Sequence, residues 1–409
     1  MTKRLYYDDS YLTRFEGRVL EQFPSRGHFA VVLNQTAFYP TSGGQPYDQG
    51  TLGGQNVVDV LVRESDDVVL HLLEVPLDNP SAPVIGEIDW DRRFDHMQQH
   101  SGQHILSQAF LQVAQAETVS FHLGAESATI DLVSPQPLSQ EDMEQAELLT
   151  NQVIWDDRPI KVRTVKAAEL PDFPLRKPPV VEGDVRLVQV LDFDWSACGG
   201  THVSRTGEIG LCKVIKWERR GEEMRVEFRC GRRALVDYAQ KNSMVNSVSA
   251  GFNVGHWELD QAVARTVDEN KELRSQLRQA GRKLARYSAE ELRASAPSVA
   301  GVRLVVHNLN QDSVLDIREL ARSLVSDQGV VALLGTGDQK ARFCFARSSD
   351  VDIDMVSLVR AAAVKLGSRG GGGQVDFAQG GGPLEHEGQL DTVLEWAAQR
   401  IQTSLKRAG

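Results

Sequence analysis

The segments HSGQH (residues 100–104) and CGGTH (residues 198–202) decide how this chain is read. The first lies in DWDRRFDHMQQHSGQHILSQAFLQVAQ, where Phe94, Met97, Ile105, Ala109 and Val113 recur at largely helical spacing and predict a helix over about 93–115. Residues i and i+4 of a helix lie one above the other, roughly 5–6 Å apart, so His100 and His104 can converge on one point. The second segment sets Cys198 and His202 around two glycines that let the backbone bend. Alone, an HxxxH pair is as readily a helix surface or a satisfied core pair, and CGGTH a tight turn between strands. Together they give a His/His/Cys/His set with no competing ligand set nearby. Mixed imidazole and thiolate donors favour one tetrahedral Zn2+ per chain over magnesium or calcium. His96, one turn up the helix, reads as an outer-layer or surface residue. Gln103 is expected to point off the histidine face.

The other cysteines, Cys212, Cys230 and Cys344, read as small buried apolar residues, and four cysteines in 409 residues give no disulfide framework. With 41% hydrophobic and 25% charged residues, two to three domains with sizeable cores are expected. No apolar run approaches the roughly 18 residues of a membrane span. The opening MTKRLYYDDSYLTRF lacks the apolar core of a signal peptide, so a cytoplasmic location away from membranes is expected. A net charge of −11 argues against indiscriminate nucleic-acid binding, but leaves room for a specific RNA held by a local basic surface.

The pattern along the chain is that of an α+β protein. Residues 1–90 are short apolar segments punctuated by turns such as TSGGQPYDQGTLGGQ, which favour a small β-barrel-like domain. Residues 91–240 mix two helices, the second capped by Ser139, with hairpin-like strands such as VSFHLGAESATIDL and EMRVEFRCG. Residues 241–297 form a long helical linker with an apolar seam at Val263, Val267, Leu273, Leu277, Leu284 and Tyr287. Residues 298–409 form an α/β module with a helix over SVLDIRELARSLVS. Its stretch GSRGGGGQVDFAQGGG is too glycine-rich for a strand or helix interior. On the long helix, Arg274, Arg278, Arg282 and Arg286 make a basic stripe. It is either a solvated face or a track for an RNA backbone.

HSGQH followed by CGGTH, with FYPTSGGQPYDQG before them and TGEIG and RVEFRCGRRAL after, resembles the editing domain of alanyl-tRNA synthetases and the freestanding AlaX proteins. GGGGQVDFAQGGG resembles the signature of the DHH-associated domain that ends those synthetases. Because the sequence enters the β domain at once, no class II aminoacylation domain is expected. The pattern is therefore similar to the long form of AlaX, which edits in trans without activating an amino acid.

The resemblance implies hydrolysis of the ester joining serine, and by extension glycine, to tRNA(Ala). It names 91–240 the zinc-dependent editing domain. The glycines of CGGTH would then also give clearance to a substrate or N–H groups to an oxyanion. Alanine is smaller than serine, so a size filter fails and a polar group must read the serine hydroxyl. Thr36 in NQTAFYP is that candidate, with a plain strand threonine as the alternative. Gln45 in SGGQP either orients water or the ester, or stabilises a turn. His122 either lines the cleft or is a satisfied strand residue. If one zinc ligand is labile, His202 or His100 is expected to be it. The tail, including Gly371 and Gly372, would assist tRNA binding or form a homodimer. The opposing reading is a non-catalytic tRNA-binding module whose zinc is structural.

Overall fold

The computed structural model describes residues 2–177, 183–309 and 315–408. It divides into two compact units, Met1–Val248 and Ser249–Gly409. Seven helices are described: α1 (Trp90–Ala114), α2 (Gln140–Trp155), α3 (Gly231–Phe252), α4 (Leu259–Ser295), α5 (Ile317–Leu324), α6 (Met355–Lys365) and α7 (Gln389–Ala408). The start of SVLDIRELARSLVS, Ser313 and Val314, lies outside the described residues.

In the first unit, an antiparallel seven-stranded sheet runs in the order Arg14–Gly17, Val84–Ile88, Gly50–Leu52, Gln55–Arg63, Val68–Leu73, His28–Leu33, Val19–Ser25. Its edges, Arg14–Gly17 and Val19–Ser25, adjoin in the chain but do not pair, so the sheet is open and not a closed barrel. One face covers Phe15, Leu33, Phe38, Leu52 and Leu73. A second sheet, Glu117–Leu123, Ala128–Val133, Glu223–Cys230, Cys212–Arg220, packs with α1 and α2 around Met97, Phe110, Met143 and Phe228. A third joins Ile160–Lys166, Asp184–Val190 and Asp194–Ala197.

Helix α1 is buried nearly all round, which is why its apolar spacing is only partly periodic. Several of its buried polar side chains are hydrogen-bonded. Gln99 donates to the Cys230 carbonyl and accepts from the Cys230 N–H, at 3.0 and 2.8 Å. Arg93 is fully buried and pairs with fully buried Asp48, whose Oδ2 also accepts from the Tyr39 N–H at 2.6 Å. Gly102 is fixed by packing, since a Cβ there would lie 2.3 Å from Cys230 Sγ. Ser139 and Asp142 cap α2 reciprocally, as the SxxD spacing implies.

The second unit has a six-stranded sheet, Ser298–Val299, Val302–Leu309, Val330–Thr336, Lys340–Arg347, Phe377–Pro383, Gly371–Gln374. Residues of α4 and α5 cover one face, and those of α6 and α7 the other. The glycine-rich tail thus forms two strands, contrary to the sequence expectation. The missing side chains are what admit the neighbours: a Cβ on Gly380 would meet Phe343 at 2.7 Å, and one on Gly371 would meet Val359 at 2.8 Å. Gly372 sits on the edge strand with open space around it.

Candidate metal centre

One turn of α1 and the segment after Asp194–Ala197 bring His100, His104, Cys198 and His202 together, one ligand atom from each lying within 4.8 Å of the others. Nε2 of His100 and of His202 are each 3.4 Å from Cys198 Sγ. Ligand atoms on a zinc tetrahedron are about 3.3–3.6 Å apart for Zn–N near 2.0 and Zn–S near 2.3 Å. The donor types and these two N–S separations therefore fit a zinc ion.

Two of the three imidazoles turn Nδ1 outward to a hydrogen-bond partner. Gln45 Oε1 lies 2.8 Å from His100 Nδ1. Gln45 Nε2 donates to Thr201 Oγ1 at 2.8 Å while Oε1 accepts from the Thr201 N–H, so Oε1 can only accept and His100 Nδ1 carries the proton. Ser101 Oγ lies 3.2 Å from His202 Nδ1. His104 Nδ1 faces Asp194 Oδ2 at 3.6 Å, longer than a hydrogen bond, and has no closer partner. Such outer partners orient the rings and leave Nε2 free to ligate. His104, not His100 or His202, is the ring least firmly held from outside.

The protonation states of Cys198 and His202 suit a cation. Burial opposes a Cys198 thiolate, but His100, His202 and His104 outweigh it and hold the thiol well below its ordinary range. Burial drives His202 down to about 3 against the pull of Cys198. Burial also opposes charge on His104, but Cys198 and Asp194 together raise it. A metal ligand must be deprotonated, and a thiolate among imidazoles draws a cation into their place.

Arg186, which the sequence reading passed over, staples the glycine segment by donating from one nitrogen to the carbonyls of Cys198 and Gly200, at 2.7 and 2.9 Å. Gly199 lines the cavity beside the cluster, while Gly200 makes room within it. Neither has a positive φ. A Cβ on Gly200 would lie 2.1 Å from His100 Cε1, so its clearance admits the cluster's own imidazole. A Cβ on Gly199 would make only ordinary contact with Tyr7.

A cavity of about 340 Å³ opens beside the cluster, and His100, His104 and Cys198 form part of its wall. Gly43, Gln103, Phe121 and Lys177 line it as well. Gln103 thus reaches the cavity wall, while its amide donates to Ser107 Oγ at 2.8 Å. Three residues past His100 is 300° of helical rotation, which leaves it only about 60° off that histidine. Gln45 is fully buried and spent on His100 and Thr201, so it holds a ligand instead of facing the cavity. Thr36 is fully buried too. Its hydroxyl lies 2.7 Å from His71 Nε2 and accepts from the Phe38 N–H, and it is not in the cavity wall. His122 is exposed and outside that wall, and His96 is buried but not in the cluster. In the second unit, Arg274, Arg278, Arg282 and Arg286 are all exposed. Arg282 lies 4.0 Å from Glu319. Asp194 was missed, although an acid four residues before Cys198 was visible in DFDWSACGG.

Residues 4–92 match the family described as tRNA synthetases class II (A), and 185–226 match the threonyl and alanyl tRNA synthetase second additional domain. Residues 301–403 match the DHHA1 domain. The chain is 31% identical to an alanine–tRNA ligase of Pyrococcus abyssi over 93% of its length, and 33% identical to that of Halorubrum lacusprofundi over all of it. It is 34% identical to the Halobacterium salinarum enzyme over 97%. It spans only 42–44% of those relatives. With all three matched regions in order, the chain belongs with the alanyl-tRNA synthetase family, in the arrangement of an AlaX-type protein.

Proposed function

We propose that this chain acts on tRNA as a zinc-dependent hydrolase, cleaving the ester of tRNA(Ala) mischarged with serine or glycine. The observation that carries this reading is the position of the cluster. Three of its four donors stand in the wall of an open cavity, whereas a purely structural zinc is closed off. The relatives' name, alanine–tRNA ligase, supports tRNA as the partner.

His100, His104, Cys198 and His202 would hold the ion, which when bound supplies Lewis-acid polarisation of a carbonyl and hydroxide near neutral pH. The protein's own share is positioning. Gln45 and Thr201 keep the proton of His100 on Nδ1, Ser101 fixes His202, and Arg186 holds the Cys198–Gly200 backbone. Asp194, which accepts from Ser196 Oγ at 2.8 Å, backs His104. The lighter support of His104 makes it the ligand we assign to give way when the substrate enters.

We keep Thr36 as the proposed reader of the serine hydroxyl, on the condition that substrate replaces one of its present partners, His71 or the Phe38 N–H. The arginine stripe and Gly371–Gly372 are proposed phosphate contacts in the second unit. The exposed seam Leu273, Leu277, Leu284 and Tyr287 is a proposed homodimer contact. Among the described residues no helix is long and apolar enough to cross a membrane, and a cytoplasmic site of action is proposed.

The test is incubation of the purified chain with Ser-tRNA(Ala) and with Ala-tRNA(Ala). Serine ester is expected to disappear selectively, and Cys198→Ala to abolish the loss. Tight tRNA binding without hydrolysis at any protein excess would favour the structural-zinc reading instead.

A further inference from the structure

The wall of the cavity continues outward into a surface that the chemistry of the cluster does not use. Ser196 and Ala197 line the cavity, and the next residue along that strand is half-buried Trp195. Register places Lys161, Gln189 and Trp195 opposite one another across the three-stranded sheet, and Arg163, Leu187 and Ala197 in the next row. Cross-strand partners share a face, so Lys161, Arg163, Trp195 and Ala197 lie on one side. The Arg163 guanidinium sits over the Trp195 ring at 5.7 Å. Phe173 adds a second ring, with centroids 5.0 Å apart and planes at 49°. The Arg176 N–H donates to the Trp195 carbonyl at 3.0 Å, which ties that loop to the strand and brings exposed Lys177 to the cavity rim.

Lys161, Arg163 and Lys177 are exposed, and among the described residues none has a carboxylate partner, in a chain of net charge −11. Most other arginines of the first unit's surface are paired, for example Arg158 with Asp156, Arg205 with Asp157 and Arg225 with Asp131. Unpaired cations interleaved with aromatic rings are the chemistry that holds single-stranded nucleic acid. The rings stack on bases without sequence preference, and the cations follow the phosphates.

We infer that Trp195, Phe173, Arg163, Lys161 and Lys177 form a platform for the unpaired 3′ end of the tRNA, delivering its terminal ester into the adjoining cavity. The inference rests on the deacylase reading and adds to it the surface that grips the RNA beside the reacting bond. Trp195 is a positioning residue here, since it touches the strand and not the ester.

The test uses the full chain and uncharged tRNA, so that it does not depend on hydrolysis. Affinity is measured for intact tRNA and for the same tRNA trimmed of its unpaired 3′ end, with wild type, Trp195→Ala, Trp195→Phe and Arg163→Glu. Loss of one stacked base corresponds to about tenfold or more in Kd. Trimming is expected to weaken wild type and Trp195→Phe by about that factor, and to leave Trp195→Ala and Arg163→Glu nearly unchanged. Thermal melts separate misfolding from lost contact, and Arg163→Glu, at an exposed position, keeps the test independent of the tryptophan. If trimming costs wild type nothing, or costs all variants alike, the platform assignment is wrong. Hydrolysis of Ser-tRNA by wild type would then still stand. If trimming behaves as expected but no ester is cleaved, the deacylase reading falls and the platform remains.

Discussion

Gly200→Ala probes how tightly the centre is built. An added Cβ would lie 2.1 Å from His100 Cε1, 2.4 Å from its Nδ1 and 3.1 Å from Gln45 Oε1. Carbon contacts begin near ~3.5 Å, so the ring or the segment must give by more than about 1 Å. The segment is stapled by Arg186, and the ring is held by Gln45 on a buried helix, so neither gives easily. Metal–ligand distances tolerate only about 0.2 Å. A displacement several times larger removes His100 as a ligand. Loss of an outer partner alone lowers metal affinity about 10–100-fold, and loss of the ligand should reach at least the upper end. The assay is competition for zinc against a chromophoric chelator, with Gly199→Ala as control, because its Cβ would meet Tyr7 only at 3.5 Å. Gly200→Ala binding zinc as tightly as wild type would refute the assignment of Gly200 as clearance for a ligand.

Three further outcomes follow from the same geometry. Arg93→Met leaves Asp48 buried and unpaired, and is expected to lose about 3–5 kcal/mol of stability in chemical denaturation; an unchanged midpoint would contradict a buried ion pair. Burial lowers His71 to about 4, below the unfolded value near 6.5, so the unfolded chain takes up the proton first. Stability is therefore full above about pH 6.5 and is lost as pH falls toward 4, by roughly 3 kcal/mol, a slope that His71→Gln should flatten. Thr36→Val orphans the Phe38 N–H and His71 Nε2, so about 1–3 kcal/mol is expected to go. The selectivity role further requires the serine-to-alanine rate ratio to drop, and a destabilised variant with an unchanged ratio would reduce Thr36 to a strand anchor.

The four donors were legible because each pair is local: one helical turn sets His100 against His104, and four residues set Cys198 against His202. The layer outside them was not, because its contacts are remote in sequence. Gln45 meets His100 across 55 residues, and Arg93 meets Asp48 across 45. Nothing in RRFD says which arginine is buried. Helix α1 was found from its apolar residues, though its buried Gln98, Gln99 and Ser101 blur the pattern that a one-sided helix would show. The tail failed for the opposite reason. Glycine is a poor strand residue in isolation, but here the packing of Phe343 and Val359 requires it.

This cluster, loaded with metal, is proposed to cleave the ester. The most direct measurement strips the purified chain with a chelator, returns zinc stepwise, and follows loss of serine from Ser-tRNA(Ala) at each step. Hydrolysis is expected to vanish on stripping and to rise in proportion to zinc up to one ion per chain, with Cys198→Ala flat throughout. Full hydrolysis by the stripped chain, or none at one zinc per chain, would contradict it.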